Sequence, residues 1–359
     1  MVRVAVVGVG VMGKNHVRVF QEMPEVELVA IVDKNQDLAE QIGRIHRVPA
    51  YFDYHEMVAR EKPVAVSVAV PTQDHYEVVK DLLEEGCHVL VEKPIAATIE
   101  EAQNLVHLSA QLNRVFMVGH IERFNPAIIE LKRRLSSGEL GRVFQINARR
   151  LGPFPPRIRD VGVVMDLATH DLDIMRYLTG SEVVRVFAET RREVHSSRED
   201  LFIGTLRFAN STIGLLEINW LTPTKIRELY VTGERGMFLV NYITQDIYFF
   251  ENAETNGSDW SALSLLRGVS EGSMMKYAIH KKEPLRSELE AFVSCVQGNG
   301  LCISNGYDAY VALALATALI ESAYEGGVKE VSRDGPYRYA TTESVSRGFE
   351  TKSPALRTQ

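Results

Sequence analysis

The residues best suited to move a proton lie in MDLATHDLD (165–173), which sets Asp166, His170, Asp171 and Asp173 close together. At about 100° per residue on a helix, Asp166, His170 and Asp173 share an arc of about 60°, opposite Leu167, Ile174, Met175 and Leu178. Three chemistries fit that face. An imidazole with an ordinary pKa of about 6.5 can accept a proton, while a carboxylate one turn earlier orients the ring. Asp and His at i, i+4 can also grip one metal ion. The third possibility is a plain solvated helix face. A second reactive group is Lys93 of HVLVEKPIAAT, an ammonium at the carboxyl end of an expected strand. It is placed to favour negative charge developing on an oxygen, or is simply a surface lysine after a strand. Pro94 is expected to hold its turn rigid.

The third group binds rather than reacts. VAVVGVGVMGKNH sets Gly8, Gly10 and Gly13 in a G-x-G-x-x-G between a β-branched run and a helical pattern. The first glycine permits a tight turn, the second a close backbone approach to pyrophosphate, and the third close helix–strand packing. Val11 and Met12 fall at the helix mouth, where free N–H groups suit phosphate. Asp33 ends the next strand, placed to accept hydrogen bonds from ribose hydroxyls and to repel a 2′-phosphate. NAD is therefore expected over NADP, with the adjacent Lys34 softening the preference.

These groups need a scaffold. The runs at 2–8, 26–33, 64–70, 87–92 and 115–119 are apolar throughout and alternate with amphipathic stretches, the pattern of a parallel sheet covered on both faces. One such stretch opens with the capping box Thr98-Ile99-Glu100-Glu101. Beyond about residue 140 the strands follow one another through short turns such as FANST and TGERG, the pattern of an antiparallel sheet. LRSELEAFVSCVQGNG and GYDAYVALALATALIESAYEGG then return to helix. The expected fold class is α/β: an N-terminal Rossmann doubly wound parallel sheet plus a C-terminal α+β domain with an open, mostly antiparallel sheet. The expected boundaries are 1–120, 121–331 and a loose tail at 332–359.

At 359 residues the chain is long for one core, which favours two domains. A net charge of −7 disfavours nucleic acid or an acidic membrane as partner. No apolar run nears the roughly 18 residues that span a bilayer. The three cysteines, Cys87, Cys295 and Cys302, are far apart with no C-x-x-C, and VRVAVVG begins as a strand rather than a signal peptide. A reducing cytoplasm is the expected location.

GVGVMG, PTQDHYEVVKDLLEEGCHVLVEKPIA, ERFNPAI and DLATHDLD with YLTG together resemble the Gfo/Idh/MocA oxidoreductase family over roughly residues 1–330. The resemblance implies NAD as cofactor, with Pro71, Thr72, His75, Glu92 and Lys93 bordering its crevice beside the glycine loop. It makes Lys93 the active-site lysine, His170 the proton acceptor and donor, and Asp166 its partner, with no metal. Hydride transfer needs none.

Within the family, GHIERFNPAI and RLGPFPPRIRDVGVVMDLATHD are similar to UDP-N-acetylglucosamine 3-dehydrogenases, which oxidise the sugar 3-hydroxyl to a ketone. Glu122 stands where many relatives carry Asn. The implied partners are a nucleotide-sugar substrate and a second copy of the chain, as homodimer or homotetramer through the C-terminal sheet. Of Arg123, Arg149, Arg150, Arg157 and Arg159, Arg123 is the expected substrate contact, with Asn125 beside it on a sugar hydroxyl. His16 and His75, at helix starts near the cofactor crevice, are expected to pack or to bond backbone rather than to react. Other readings are a dehydrogenase of another sugar or an inositol-like polyol, and a non-catalytic NAD-binding regulator.

Overall fold

A computed structural model describes residues 1–155, 161–194, 197–253 and 271–331. Arg157, Arg159 and the tail expected at 332–359 lie outside the described residues. The N-terminal half runs β1 (Val2–Val7), α1 (Val11–Glu22), β2 (Val26–Val32), α2 (Gln36–His46), β3 (Ala50–Tyr51), α3 (Tyr54–Glu61), β4 (Ala65–Val68), α4 (His75–Glu84), β5 (His88–Val91), α5 (Ile99–Gln111) and β6 (Phe116–Val118). The six strands are parallel in the order β3-β2-β1-β4-β5-β6. Strand order therefore reverses between β1 and β4, and a doubly wound sheet binds its ligand at the carboxyl ends beside that point. The Thr98–Glu101 capping box forms and starts α5.

The second half runs α6 (Pro126–Ser136), β7 (Val143–Pro153), α7 (Thr169–Thr179), β8 (Val183–Arg191), β9 (Leu201–Phe208), β10 (Ile213–Asn219), β11 (Leu221–Gly233), β12 (Gly236–Asn241), β13 (Asp246–Asn252), β14 (Glu271–Tyr277), α8 (Pro284–Val296), α9 (Gly306–Glu325) and β15 (Lys329–Glu330). Its nine strands lie in the order β14-β13-β12-β11-β7-β10-β9-β8-β15, antiparallel except for the parallel pair β7–β10. Side chains alternate across this sheet, as period two requires. Ile146, Ala148, Leu216, Ile218, Leu229, Val231, Phe238 and Val240 are buried in one cluster with residues of α6, α7 and α9.

The two halves are not consecutive blocks. Leu285, Leu289, Phe292 and Val293 of α8 join the core around β1 and α1, although they fall within the expected second domain. α9 serves both cores: Ala309, Tyr310 and Leu313 pack with the parallel sheet, and Leu315, Ala316 and Leu319 with the antiparallel one. Polar bonds fasten the approach to α9 onto β6, where Val118 N donates to Ser304 O at 3.0 Å and Ser304 Oγ to Val118 O at 2.6 Å. Among the described residues no helix is long and apolar enough to cross a membrane.

Candidate active site

The glycine loop fits a dinucleotide. Gly8 has φ +87°, and a Cβ there would stand 2.6 Å from Ala69 O. A Cβ on Gly13 would stand 1.8 Å from Gly8 O, so only glycine lets α1 pack this close. At Gly10 a Cβ would meet nothing within 4 Å. The protein's own packing does not require that glycine, whereas a phosphate lying on the backbone would. α1 has no side-chain cap and no acid in its first turn, so its leading N–H groups are open to an anion. Val11 and Met12 open this helix, with Val11 exposed.

Asp33 closes the cradle. Oδ2 accepts from Val9 N and Oδ1 from Asn35 N, both at 2.9 Å. Each oxygen keeps a lone pair for a ribose hydroxyl. Lys34 is exposed and reaches Asp74 at 3.4 Å. Pro71 and Thr72 form the turn before α4. His75 is fixed by backbone carbonyls at the crevice. Its ring is buried between Pro94 O at 2.8 Å and Val70 O at 3.0 Å, bridging the turns that follow β4 and β5. Burial lowers its pKa and keeps it neutral.

Lys93 follows β5, with a cis peptide to Pro94. Its Nζ donates to Asp166 O at 2.7 Å and to Asp166 Oδ1 at 3.0 Å. This contact, with Met165 packing against both cores, ties the carboxyl end of the parallel sheet to the start of the helix carrying His170. Behind it, Ser67 Oγ lies 2.7 Å from His16 Nδ1, and His16 Nε2 lies 3.0 Å from Glu92 Oε1. Burial alone would raise Glu92, but the bond to His16 and the charge of Lys93 hold it below the ordinary carboxylate range. Glu288 of α8 is fully buried with neither oxygen bonded, and burial together with Glu92 pushes its pKa well up, so it carries a proton.

The motif helix differs most from expectation. Val164–Ala168 forms a π-helical segment, and α geometry begins only at Thr169. The widened turn cancels the 100° spacing that stacked Asp166 beneath His170. Asp166 serves Lys93 and makes no hydrogen bond to His170, so it does not orient the ring as expected. His170 is half-buried; among the described residues its Nδ1 has no partner, which leaves exchange with a substrate to Nε2. Burial first, then Lys93, Arg150, His120 and Arg227, lowers the His170 pKa well below its ordinary value. It is a neutral base held among cations.

Asp173, the third member of the expected acidic face, is buried. Its two oxygens accept from Arg123 Nε at 2.7 Å and Nη2 at 2.6 Å. Arg123 also donates to Asp308 Oδ2 at 2.9 Å and to Ile303 O. At 3% exposure Arg123 has no surface left for a substrate. Asn125 is likewise committed: it caps α6 by accepting from Ala127 N at 3.1 Å and donates to Tyr242 O at 3.0 Å. Both were expected to touch a sugar, and both are instead struts of the second domain. Arg149 pairs with Glu217 on the other face of the sheet at 2.7 Å.

Arg150 binds Asp171 through Nε at 2.7 Å and Nη2 at 2.9 Å, and Glu122 at 3.0 Å. Glu122, the departure from many relatives, is thus the acid that helps neutralise Arg150. Two nearby residues escaped the sequence reading. His120 is buried with both ring nitrogens unbonded, and Arg227 enters from β11. His120 lies within GHIERFNPAI, a stretch read for Arg123 and Asn125 rather than for its histidine, and Arg227 lies mid-strand in β11 with no motif around it. Among the described residues no group of three or more His, Cys, Asp or Glu could hold a metal ion.

Comparison with known proteins follows this division. Residues 2–120 match the model of the oxidoreductase family with an NAD-binding Rossmann fold, and residues 128–239 match the GFO/IDH/MocA C-terminal domain. The UDP-N-acetylglucosamine 3-dehydrogenase of Acidithiobacillus ferrooxidans is 26% identical over 314 residues, covering 88% of this chain and 95% of that protein. Its solved structure superposes with a TM-score of 0.78 over 90% of this chain and 98% of that one. Inositol 2-dehydrogenase 1 of Saccharopolyspora erythraea is 29% identical over 358 residues, covering 95% of this chain and 99% of that protein.

Proposed function

The chain belongs to the Gfo/Idh/MocA oxidoreductase family and is an NAD(P)-dependent oxidoreductase acting on the CH–OH groups of a sugar or polyol, and from that premise we propose that it oxidises the 3-hydroxyl of UDP-N-acetylglucosamine to a ketone. The cofactor held by the glycine loop and Asp33 supplies the hydride acceptor. The chain itself must hold the hydroxyl and take its proton. In this reading the Lys93 ammonium, fixed by Asp166, hydrogen-bonds the substrate oxygen and stabilises negative charge as it develops. His170, neutral because it is buried among cations, accepts the proton at Nε2. The observation that carries the chemistry is the Lys93–Asp166 contact, which joins the cofactor sheet to the His170 helix.

The choice of sugar rests on similarity along nearly the whole length of the UDP-N-acetylglucosamine 3-dehydrogenase. The inositol 2-dehydrogenase matches over a comparable span and supports a second reading, oxidation of a cyclic polyol. Incubation with NAD⁺ and a panel of UDP-N-acetylglucosamine, UDP-glucose, myo-inositol and scyllo-inositol should yield NADH with UDP-N-acetylglucosamine. NADH from an inositol alone would move the assignment to the second reading. No NADH from any of the four would refute both.

The expected self-association has a surface to match. On the face of the second sheet away from the helices, Phe187, Ile203, Thr205, Ile213, Leu215, Tyr230 and Leu239 face outward, with Ile203 53% and Ile213 45% exposed. We take this face to be the interface of a homodimer or homotetramer. Ile203 lies opposite Glu217 of β10 and Glu189 of β8, so Ile203→Glu would align three carboxylates across three strands. It should weaken association at least tenfold by light scattering. An assembly unmoved by the charge would put the interface elsewhere.

A further inference from the structure

Arg227 is a half-buried cation with no ion-pair partner among the described residues, although Asp171, Glu122 and Asp166 lie near enough to raise its pKa. It stands directly opposite Arg150 in the β7–β11 register, on the helix-covered face of the sheet. Like charges placed so repel, and Arg150 is already satisfied by Asp171 and Glu122. Among the described residues the hydrogen bonds of Arg227 run from Nη1 to the carbonyls of Leu151 at 2.6 Å and Ile226 at 2.9 Å. Burial first, then Arg150, pushes its pKa down to about 10, the sign of a charge held against its preference. Its field reaches the candidate reaction centre, since it also lowers the His170 pKa.

The Arg227 side chain is only half-buried, so the corner around it is not sealed. Gly152 lies beside Arg227 in the β7–β11 pair: among the described residues a Cβ on that glycine would stand in ordinary van der Waals contact with Arg227 Nη1 and Lys225 Cγ, both at 3.9 Å, so a larger side chain there would crowd the guanidinium. β11 departs from regular pairing between Leu221 and Ile226, which separates this corner from the continuous ladder. A half-buried guanidinium with no carboxylate bonded to it among the described residues, its charge felt at His170, suits an oxyanion: its planar fork matches two oxygens, and the anion would offset the repulsion from Arg150.

We propose that Arg227 is the anion-binding residue of the substrate pocket, gripping an oxyanion carried by the substrate, either the diphosphate of a nucleotide sugar or a carboxylate on the sugar ring. The proposal rests on the sugar-dehydrogenase reading and narrows it to anionic substrates. It also gives the site a means of discrimination. A neutral polyol leaves Arg227 uncompensated, whereas an anionic substrate neutralises it and relieves the positive field that disfavours protonation of His170.

Calorimetry on the NADH-loaded protein separates the sources with three probes: UDP for the diphosphate, glucuronate for the carboxylate and N-acetylglucosamine as the neutral control. At least one anion should bind the wild type and lose about 10- to 100-fold in affinity in Arg227→Met, with the neutral sugar unchanged. The anion that suffers identifies the source. Arg227→Lys should fall between, since it keeps the charge but not the fork. The thermal midpoint of Arg227→Met should match or exceed that of the wild type, because a repulsive charge has gone. Equal anion binding by wild type and Arg227→Met, or no anion binding by the wild type, overturns the proposal. UDP-N-acetylglucosamine turned over by Arg227→Met with unchanged KM would do the same while leaving the substrate reading intact. Binding of glucuronate but not UDP would keep Arg227 and remove the nucleotide.

Discussion

Lys93→Met should lower turnover by about 10²- to 10⁴-fold while leaving NADH affinity near the wild-type value. Methionine keeps length and apolar bulk but removes the only charge that Asp166 orients at the end of β5. The glycine loop and Asp33 bond through backbone groups on other strands, so the cofactor cradle should survive. The same variant tests the assignment of His170 through pH. Burial and then Lys93 depress its pKa, so in the wild type the base stays neutral below pH 6.5 and kcat/KM for oxidation should hold down to that point. Removing Lys93 removes one depressing charge, and the acid limb should move to higher pH. A wild-type inflection at or above 6.5, or an acid limb that stays put in Lys93→Met, would take His170 out of the proton transfer. Parallel loss of NADH binding would mean that Lys93 belongs to the cofactor site instead.

Arg123→Leu is expected to destabilise the fold by about 3–5 kcal/mol, the usual cost of stranding a buried charge. Asp173 is fully buried and takes both of its strong hydrogen bonds from Arg123. Burial alone would raise the Asp173 pKa; Arg123, with His120, overrides this and holds it below the ordinary carboxylate value. A depressed carboxylate contributes its stability above the unfolded pKa and loses it as pH falls through the folded one. The deficit of Arg123→Leu should therefore be complete at neutral pH and shrink in acid. Arg123→Leu combined with Asp173→Leu should recover much of the loss, since an apolar pair leaves no charge uncompensated. Denaturant unfolding of the two single variants and the double variant measures all of this. If Arg123→Leu instead kept full stability and raised only KM, Arg123 would be the substrate contact that its place in the motif suggested.

The contrast between these two residues shows what a sequence can carry. Lys93 was legible because chemistry and topology coincide there: in a doubly wound sheet, the residue after a strand must face the ligand crevice. Gly8, Gly13 and Asp33 were legible for the same reason, since each answers a local demand of backbone geometry. Arg123 and Asn125 sit in an equally suggestive motif, yet their roles depend on partners far along the chain. Asp173, Asp308 and Tyr242 lie 50, 185 and 117 residues away from them. No spacing rule reaches that far.

The MDLATHDLD helix marks the same limit within a single turn. Its residue types announced proton chemistry, but a 3.6-residue period cannot foresee a π segment, and that one widened turn hands Asp166 to Lys93 instead of His170. By itself the sequence determined the parallel sheet, the glycine cradle, the Asp33 terminus and the reactive groups, because apolar periodicity and backbone permissiveness are properties of neighbouring residues. Tertiary structure alone decided which acid meets which base. Charge pairing in a buried site is set by the packing of α7 against α9 and β7, which brings together carboxylates and cations far apart in the chain.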